Sequence, residues 1–148
     1  MSRIYKLVSF ISISVLLAFF SMKLESNFAD QFAENILSLL TTLFAINIAS
    51  STLIAGKLRE IQNKTGCDFP KTKKNLKNSF YEQIMFIGVV FVFGLLRESK
   101  YIHHTIDIDK IKLICNSVLF LCFIYYIDII RDIGKSLFDL LDFTETEN

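Results

Sequence analysis

The sequence predicts an all-α protein, a four-helix transmembrane bundle with both termini on the cytoplasmic side. Three observations predict it. Of the 148 residues, 52% are apolar and only 21% charged, a balance too greasy for a small soluble domain. Four stretches carry no Asp, Glu, Lys or Arg: Leu7 to Met22, Asn35 to Gly56, Gln83 to Leu96, and Leu113 to Ile127. One Pro and five Gly are too few for a collagen-like or low-complexity chain and argue against many tight β turns.

Spanning helices are expected at about 4–22, 35–57, 79–97 and 110–130. A helix needs roughly 20 mostly apolar residues to cross the hydrocarbon. The second stretch meets this unaided, and the others meet it if Lys6, Glu82 and Asp128 carry their charges up to the headgroups. A soluble bundle with four buried helices is the alternative, and four such stretches in so short a chain weigh against it. Arg3 and Lys6 ahead of the first apolar run resemble a signal peptide. The run ends Ala18-Phe19-Phe20-Ser21-Met22-Lys23, which lacks two small residues at a cleavage spacing, so a retained anchor is expected.

Beyond the second span, Leu58 and Ile61 extend the helical pattern for about two turns to Gly66, a glycine of the kind that ends helices. Asp68, two residues before Pro70, is the expected N-terminal cap of the third helix, with proline in its first turn. Residues 58–78 are thus read as a basic cytoplasmic hairpin. After the fourth span, Ile129, Ile130, Ile133, Leu137, Leu140 and Leu141 keep helical spacing. The cytoplasmic tail, 131–148, is expected to pack on the hairpin, with Asp132, Asp139 and Asp142 facing water or its lysines and a polar, frayed end from Thr144. With no internal repeat, residues 1–148 form a single membrane domain.

Orientation follows from the distribution of Lys and Arg between the two sides. With the N-terminus inside, Arg3, Lys6, Lys57, Arg59, Lys64, Lys71, Lys73, Lys74, Lys77, Arg131 and Lys135 are cytoplasmic. Lys23, Arg97, Lys100, Lys110 and Lys112 lie outside. Tyr5, Tyr81, Tyr125 and Tyr126 near the inner surface and Tyr101 near the outer one are the expected interfacial aromatics. Cys67, Cys115 and Cys122 have no metal-ligand spacing and are expected to be free thiols.

The most informative pattern is in the second span: Ser38, Thr42, Ala45, Ala49, Thr52 and Gly56 form a heptad stripe of small residues. Hydrophobic burial drives little helix association in lipid, so close backbone approach and hydrogen bonding matter more, and small residues permit both. The stripe either seats this helix within its own protomer, forms a subunit interface, or lines a pore. Asn47, with Ser51 and Ser50 nearby, is a mid-membrane amide that is costly unless paired. It serves as interhelical glue, pairing across a symmetry axis as buried Asn does in coiled coils, or as part of a hydrated path.

No full charge sits at mid-membrane, which argues against proton-driven pumping. The basic hairpin, with Lys64, Lys71, Lys73, Lys74 and Lys77, either lies against anionic headgroups or docks an acidic cytoplasmic protein or a nucleic acid. The formal net charge of +1 speaks against a direct nucleic-acid partner. In the outer loop, Arg97 and His103 fit the loose Arg-to-His spacing of HEPN ribonucleases, a pattern that chance supplies readily. His103 and His104 with Asp107 and Asp109 are better explained as an exposed polar loop than as a metal site, because neighbouring His on a helix diverge. A pH-sensitive loop is the other reading of the imidazoles. No phosphate-binding glycine loop or catalytic triad order is visible, so neither an enzyme, a catalytic residue, a metal nor a cofactor is expected.

The layout is a short inward-starting span, then Leu40-Thr41-Thr42-Leu43-Phe44-Ala45-Ile46-Asn47-Ile48-Ala49 running into Gly56-Lys57-Leu58-Arg59-Glu60, then a basic hairpin and two more spans. This resembles the small four-span inner-membrane proteins of bacterial phage-defence loci, with the Kiwa membrane subunit and the lambdoid RexB exclusion protein as comparisons. The first resemblance implies a homo-oligomer, a tetramer, in the bacterial inner membrane. It would sense infection and hold a soluble DNA-binding effector on its cytoplasmic face. The second implies an ion channel that depolarises the cell.

Overall fold

A computed structural model describes residues 3–24, 27–66, 68–99 and 107–145, and the side chains of 4–24, 27–66, 68–99 and 107–138. Four helices account for nearly all of it: α1 (Arg3–Lys23), α2 (Phe28–Thr65), α3 (Pro70–Glu98) and α4 (Ile108–Glu145). Each is long and apolar enough to cross a membrane, which defines a multi-pass all-α membrane protein. Cys67, Lys100, Tyr101, His103 and His104, together with the side chains of Asp139 and Asp142, lie outside the described residues.

The helices outrun the bilayer. At 1.5 Å per residue, the 38 residues of α2 extend about 57 Å, close to twice a hydrocarbon core of about 30 Å. α2 starts seven residues before the expected span because Phe28, Ala29 and Phe32 have a place to pack. The Phe32 ring stacks on Phe120 of α4 at 4.8 Å, and Phe28 stacks on the same ring at 6.3 Å. Its far end matches expectation. Gly66 adopts a left-handed φ of 71° and its N–H donates to the Gln62 carbonyl, a termination that a side chain with a Cβ resists.

Pro70 opens α3 as expected, but Asp68 is not its cap. Phe69 occupies the N-cap, and the Asp68 carboxylate instead accepts from its neighbour, the Phe69 N–H, at 2.9 Å, and from Lys73 Nζ at 2.7 Å. A lysine ammonium within reach competes successfully with the backbone amides of the first turn.

α4 is the hub, packing against α1, α2 and α3, while α1 leans on α4 and touches α2 little. The membrane core joins Ile36 and Leu40 of α2, Val90 of α3, and Leu119, Cys122 and Tyr126 of α4. A second core joins Ile54, Leu58, Ile129 and Ile133, with Phe69, Leu76 and Leu137 against it. The tail of α4 therefore packs on the α2–α3 hairpin, as its apolar spacing predicts. This second core reaches beyond the bilayer, where water makes burial favourable, so Leu58→Ala there should cost about 2–5 kcal/mol. Most of the outer surface of α1 is apolar and exposed, including Val8, Leu16 and Phe20, as a lipid-facing helix requires.

Two boundary assignments change. Asp128 does not reach for headgroups: it is 8% exposed and held by Lys6 of α1 and by Arg131, whose Nη2 lies 2.8 Å from Oδ1. Pairing with cations costs less than leaving a carboxylate in the bundle alone. Tyr126 is not interfacial but wholly buried, whereas Tyr5 and Tyr81 are exposed. Tyr125 packs its ring on Phe10 and Phe86.

Candidate functional site

α2 carries two opposed faces. Ile36, Leu40, Asn47, Ser51, Ile54 and Leu58 are buried, while Ser38, Thr42, Ala45, Ala49, Thr52 and Gly56 are all exposed. The two series are offset by two residues, about 200° around a helix. The small-residue stripe therefore does not seat α2 in its own protomer; it faces outward. The Thr42 and Thr52 hydroxyls donate to the Ser38 and Ile48 carbonyls at 2.9 and 2.8 Å. These threonines thus need no outside partner, and the stripe is a smooth surface with few protruding side chains.

Asn47 and Ser51 part company with the other six. They face inward, 3% and 2% exposed, and neither Asn47 Nδ2 nor Ser51 Oγ has a hydrogen-bond partner among the described residues. On the antiparallel α2 and α3, Leu40 shares a core with Val90 and Leu58 with Leu76. Asn47 and Ser51, between Leu40 and Leu58, thus lie level with Gln83, midway between Val90 and Leu76. Gln83 is wholly buried, takes a 3.2 Å bond from the Tyr126 hydroxyl, and leaves its own Nε2 unpartnered. Three helices therefore contribute to one buried polar layer.

The sequence pattern pointed to Asn47 because it interrupts a long apolar run. Gln83 carried the same signal, a lone amide, but it borders Glu82 and reads as a span boundary. Far from this layer, Asp30 at the start of α2 pairs with the buried Arg97 at the end of α3, and nothing local in the sequence links residues so far apart. Arg97, part of the ribonuclease-like spacing, thus has a structural role.

The hairpin lysines divide by engagement. Lys64 pairs with Glu60 at 3.0 Å, Lys73 bonds Asp68 and the Gln62 Oε1, and Lys77 lies over the Tyr81 ring at 5.9 Å. Lys71 and Lys74 are exposed with no ion-pair partner among the described residues. Glu60, bonded by Lys57 and Lys64, and Asp68, bonded by Lys73, are both held below the ordinary carboxylate range. Lys71, Lys73, Lys74 and Lys77 occupy the first two turns of α3, which has no acidic residue in its first turn. Cations there oppose the helix dipole, so helix stability does not account for their placement.

Cys115 and Cys122 are buried free thiols. Among the described residues, no three His, Cys, Asp or Glu side chains gather as metal ligands. The structure thus defines a class, a four-helix multi-pass membrane protein with a three-helix extension on the hairpin side. Comparison with protein-family models, with characterised proteins and with solved structures finds no match to this chain.

Proposed function

We propose that this protein is a self-associating membrane scaffold and sensor that docks a soluble effector through its lysine hairpin, in the bacterial inner membrane. The observation that carries the reading is the outward stripe of α2. Six small side chains in register, all exposed, form the kind of surface on which helices in lipid approach closely. The phage-defence setting and a tetrameric count follow from the resemblance in layout. Docking is supported by lysines placed where they weaken the helix dipole and attract an anionic surface.

The test is the oligomeric state of the full chain in lipid nanodiscs or mild detergent. Ala45→Leu with Ala49→Leu is expected to yield monomers of unchanged helix content, since both positions point away from the protomer's core. A wild-type protein that is monomeric at every lipid ratio overturns the reading.

The second reading is a small ion channel, favoured by the unpaired polar atoms of Asn47, Ser51 and Gln83 within the protomer. Such atoms call for water, and a hydrated layer is the start of a conducting path. Ion efflux from liposomes that is abolished by Asn47→Leu would put this reading first.

A further inference from the structure

At the membrane end opposite the hairpin, α1, α2 and α4 enclose a crevice of about 300 Å³, the lower end of the range for small-molecule sites. Two of its lining side chains are nearly sealed from solvent yet lack a hydrogen-bond partner among the described residues: Ser21 Oγ, in a residue 8% exposed, and Asn116 Oδ1, in one 4% exposed. Buried polar atoms in native proteins are almost always satisfied. Two orphans lining one cavity point to an occupant that supplies hydrogen-bond donors.

The rim narrows the chemistry. Asp109 and Lys112, one turn apart at the start of α4, both line the crevice. Neither has an ion-pair partner among the described residues. Asp30 is engaged by Arg97, so the open charges are one carboxylate and one ammonium. A matching ligand is zwitterionic, with a donor-rich cation for Asn116 and Ser21, drawn by the nearby charge of Asp109, and an anion for Lys112. Met22 and Ala29 form apolar walls.

We propose that this crevice binds the headgroup of an aminophospholipid. The primary ammonium donates to Asn116 Oδ1 and Ser21 Oγ, the Asp109 carboxylate two turns away on α4 attracts it at longer range, and the phosphate faces Lys112. A primary ammonium has three N–H donors, whereas a trimethylated one has none and leaves both buried acceptors unpaired. That difference is worth about tenfold in binding.

The experiment equilibrates the full chain in nanodiscs holding equal amounts of phosphatidylethanolamine, phosphatidylcholine and phosphatidylglycerol with the same acyl chains. Retained lipids are then counted by native mass spectrometry. Phosphatidylethanolamine should be retained about tenfold over phosphatidylcholine, and Ser21→Ala and Asn116→Leu should each reduce that preference without changing helix content. Equal retention of the two lipids overturns the proposal, as does a preference that survives both substitutions. Retention of phosphatidylglycerol above phosphatidylethanolamine would reduce the site to a phosphate contact with Lys112, and absence of retained lipid would leave the crevice to water. Soluble glycerophosphoethanolamine that displaces the lipid at equal concentration would mark a free-amine site and equally sink a lipid one.

Discussion

The Tyr126 hydroxyl donates to the Gln83 Oε1 at 3.2 Å, and both side chains are wholly buried. The bond fastens α3 to α4 near the level where α2 inserts Asn47 and Ser51. A glutamine in this position is sealed from bulk solvent. Its energetic role therefore depends less on the strength of one bond than on the cost of leaving an amide unpaired.

Tyr126→Phe should lower stability by about 1–2 kcal/mol, read as a fall in unfolding midpoint in detergent. Adding Gln83→Met removes the stranded amide, so the double variant should be more stable than the sum of the two single changes. Strict additivity would mean that the two side chains do not act as a pair.

Glycines offer a sharper contrast. Gly66 sits at φ 71°, so Gly66→Ala should cost about 1 kcal/mol and loosen the hairpin tip. Gly134 lies within the α4 extension with open space where a Cβ would stand. Gly134→Ala should therefore stabilise by roughly 0.5–1 kcal/mol. Thermal unfolding of the two variants should move in opposite directions.

What sequence reasoning recovered and what it missed have physical reasons. Gly66, Pro70 and the apolar spacing of Ile133 and Leu137 are local signals, and local signals predicted the hairpin and the packing of the α4 tail on it. The stripe from Ser38 to Gly56 was legible as a face, but periodicity does not say what a face meets, so its outward direction came only with the fold. Asp128 with Lys6, Asp30 with Arg97, and Gln83 with Tyr126 are contacts between distant segments. In each, the chain position suggested a membrane boundary while the partner made burial possible. The early start of α2 was hidden because Asp30 and Glu34 interrupt the apolar run that Phe28 and Phe32 begin.

Acid should loosen the hairpin. Glu60 and Asp68 both titrate below their ordinary values of 4.5 and 3.8, through Lys57 and Lys64 and through Lys73 respectively. A carboxylate with a depressed value contributes stability that is complete above its unfolded value and is lost as pH falls through the folded one. Protection of the amides around Phe69, with exchange rates corrected for their intrinsic pH dependence, should thus stay constant from neutral pH down to those ordinary values and fall below them. Asp68→Asn should lose its share of the protection at neutral pH and flatten the acid response. Both carboxylates are exposed, so the effect is small and screened by salt. A response of equal size in high salt would point to another group.

The two readings of the lysine hairpin separate at Lys71 and Lys74, because these two have no ion-pair partner within the described chain. Lys71→Glu with Lys74→Glu should leave helix content unchanged and raise the unfolding midpoint slightly, since acidic groups at the start of α3 complement its dipole, whereas Lys64→Glu with Lys73→Glu breaks the contacts to Glu60, Asp68 and Gln62 and should weaken the hairpin. Arg3, Lys6, Lys57, Arg59 and Lys135 remain on the same side in the first variant, so the positive bias that sets orientation survives. Its binding to a polyglutamate peptide at low salt should fall several-fold, since two attractions become two repulsions. Unchanged binding, or a change in which side of a vesicle the hairpin is reached by protease, would mean that these lysines orient the chain and do not dock a partner.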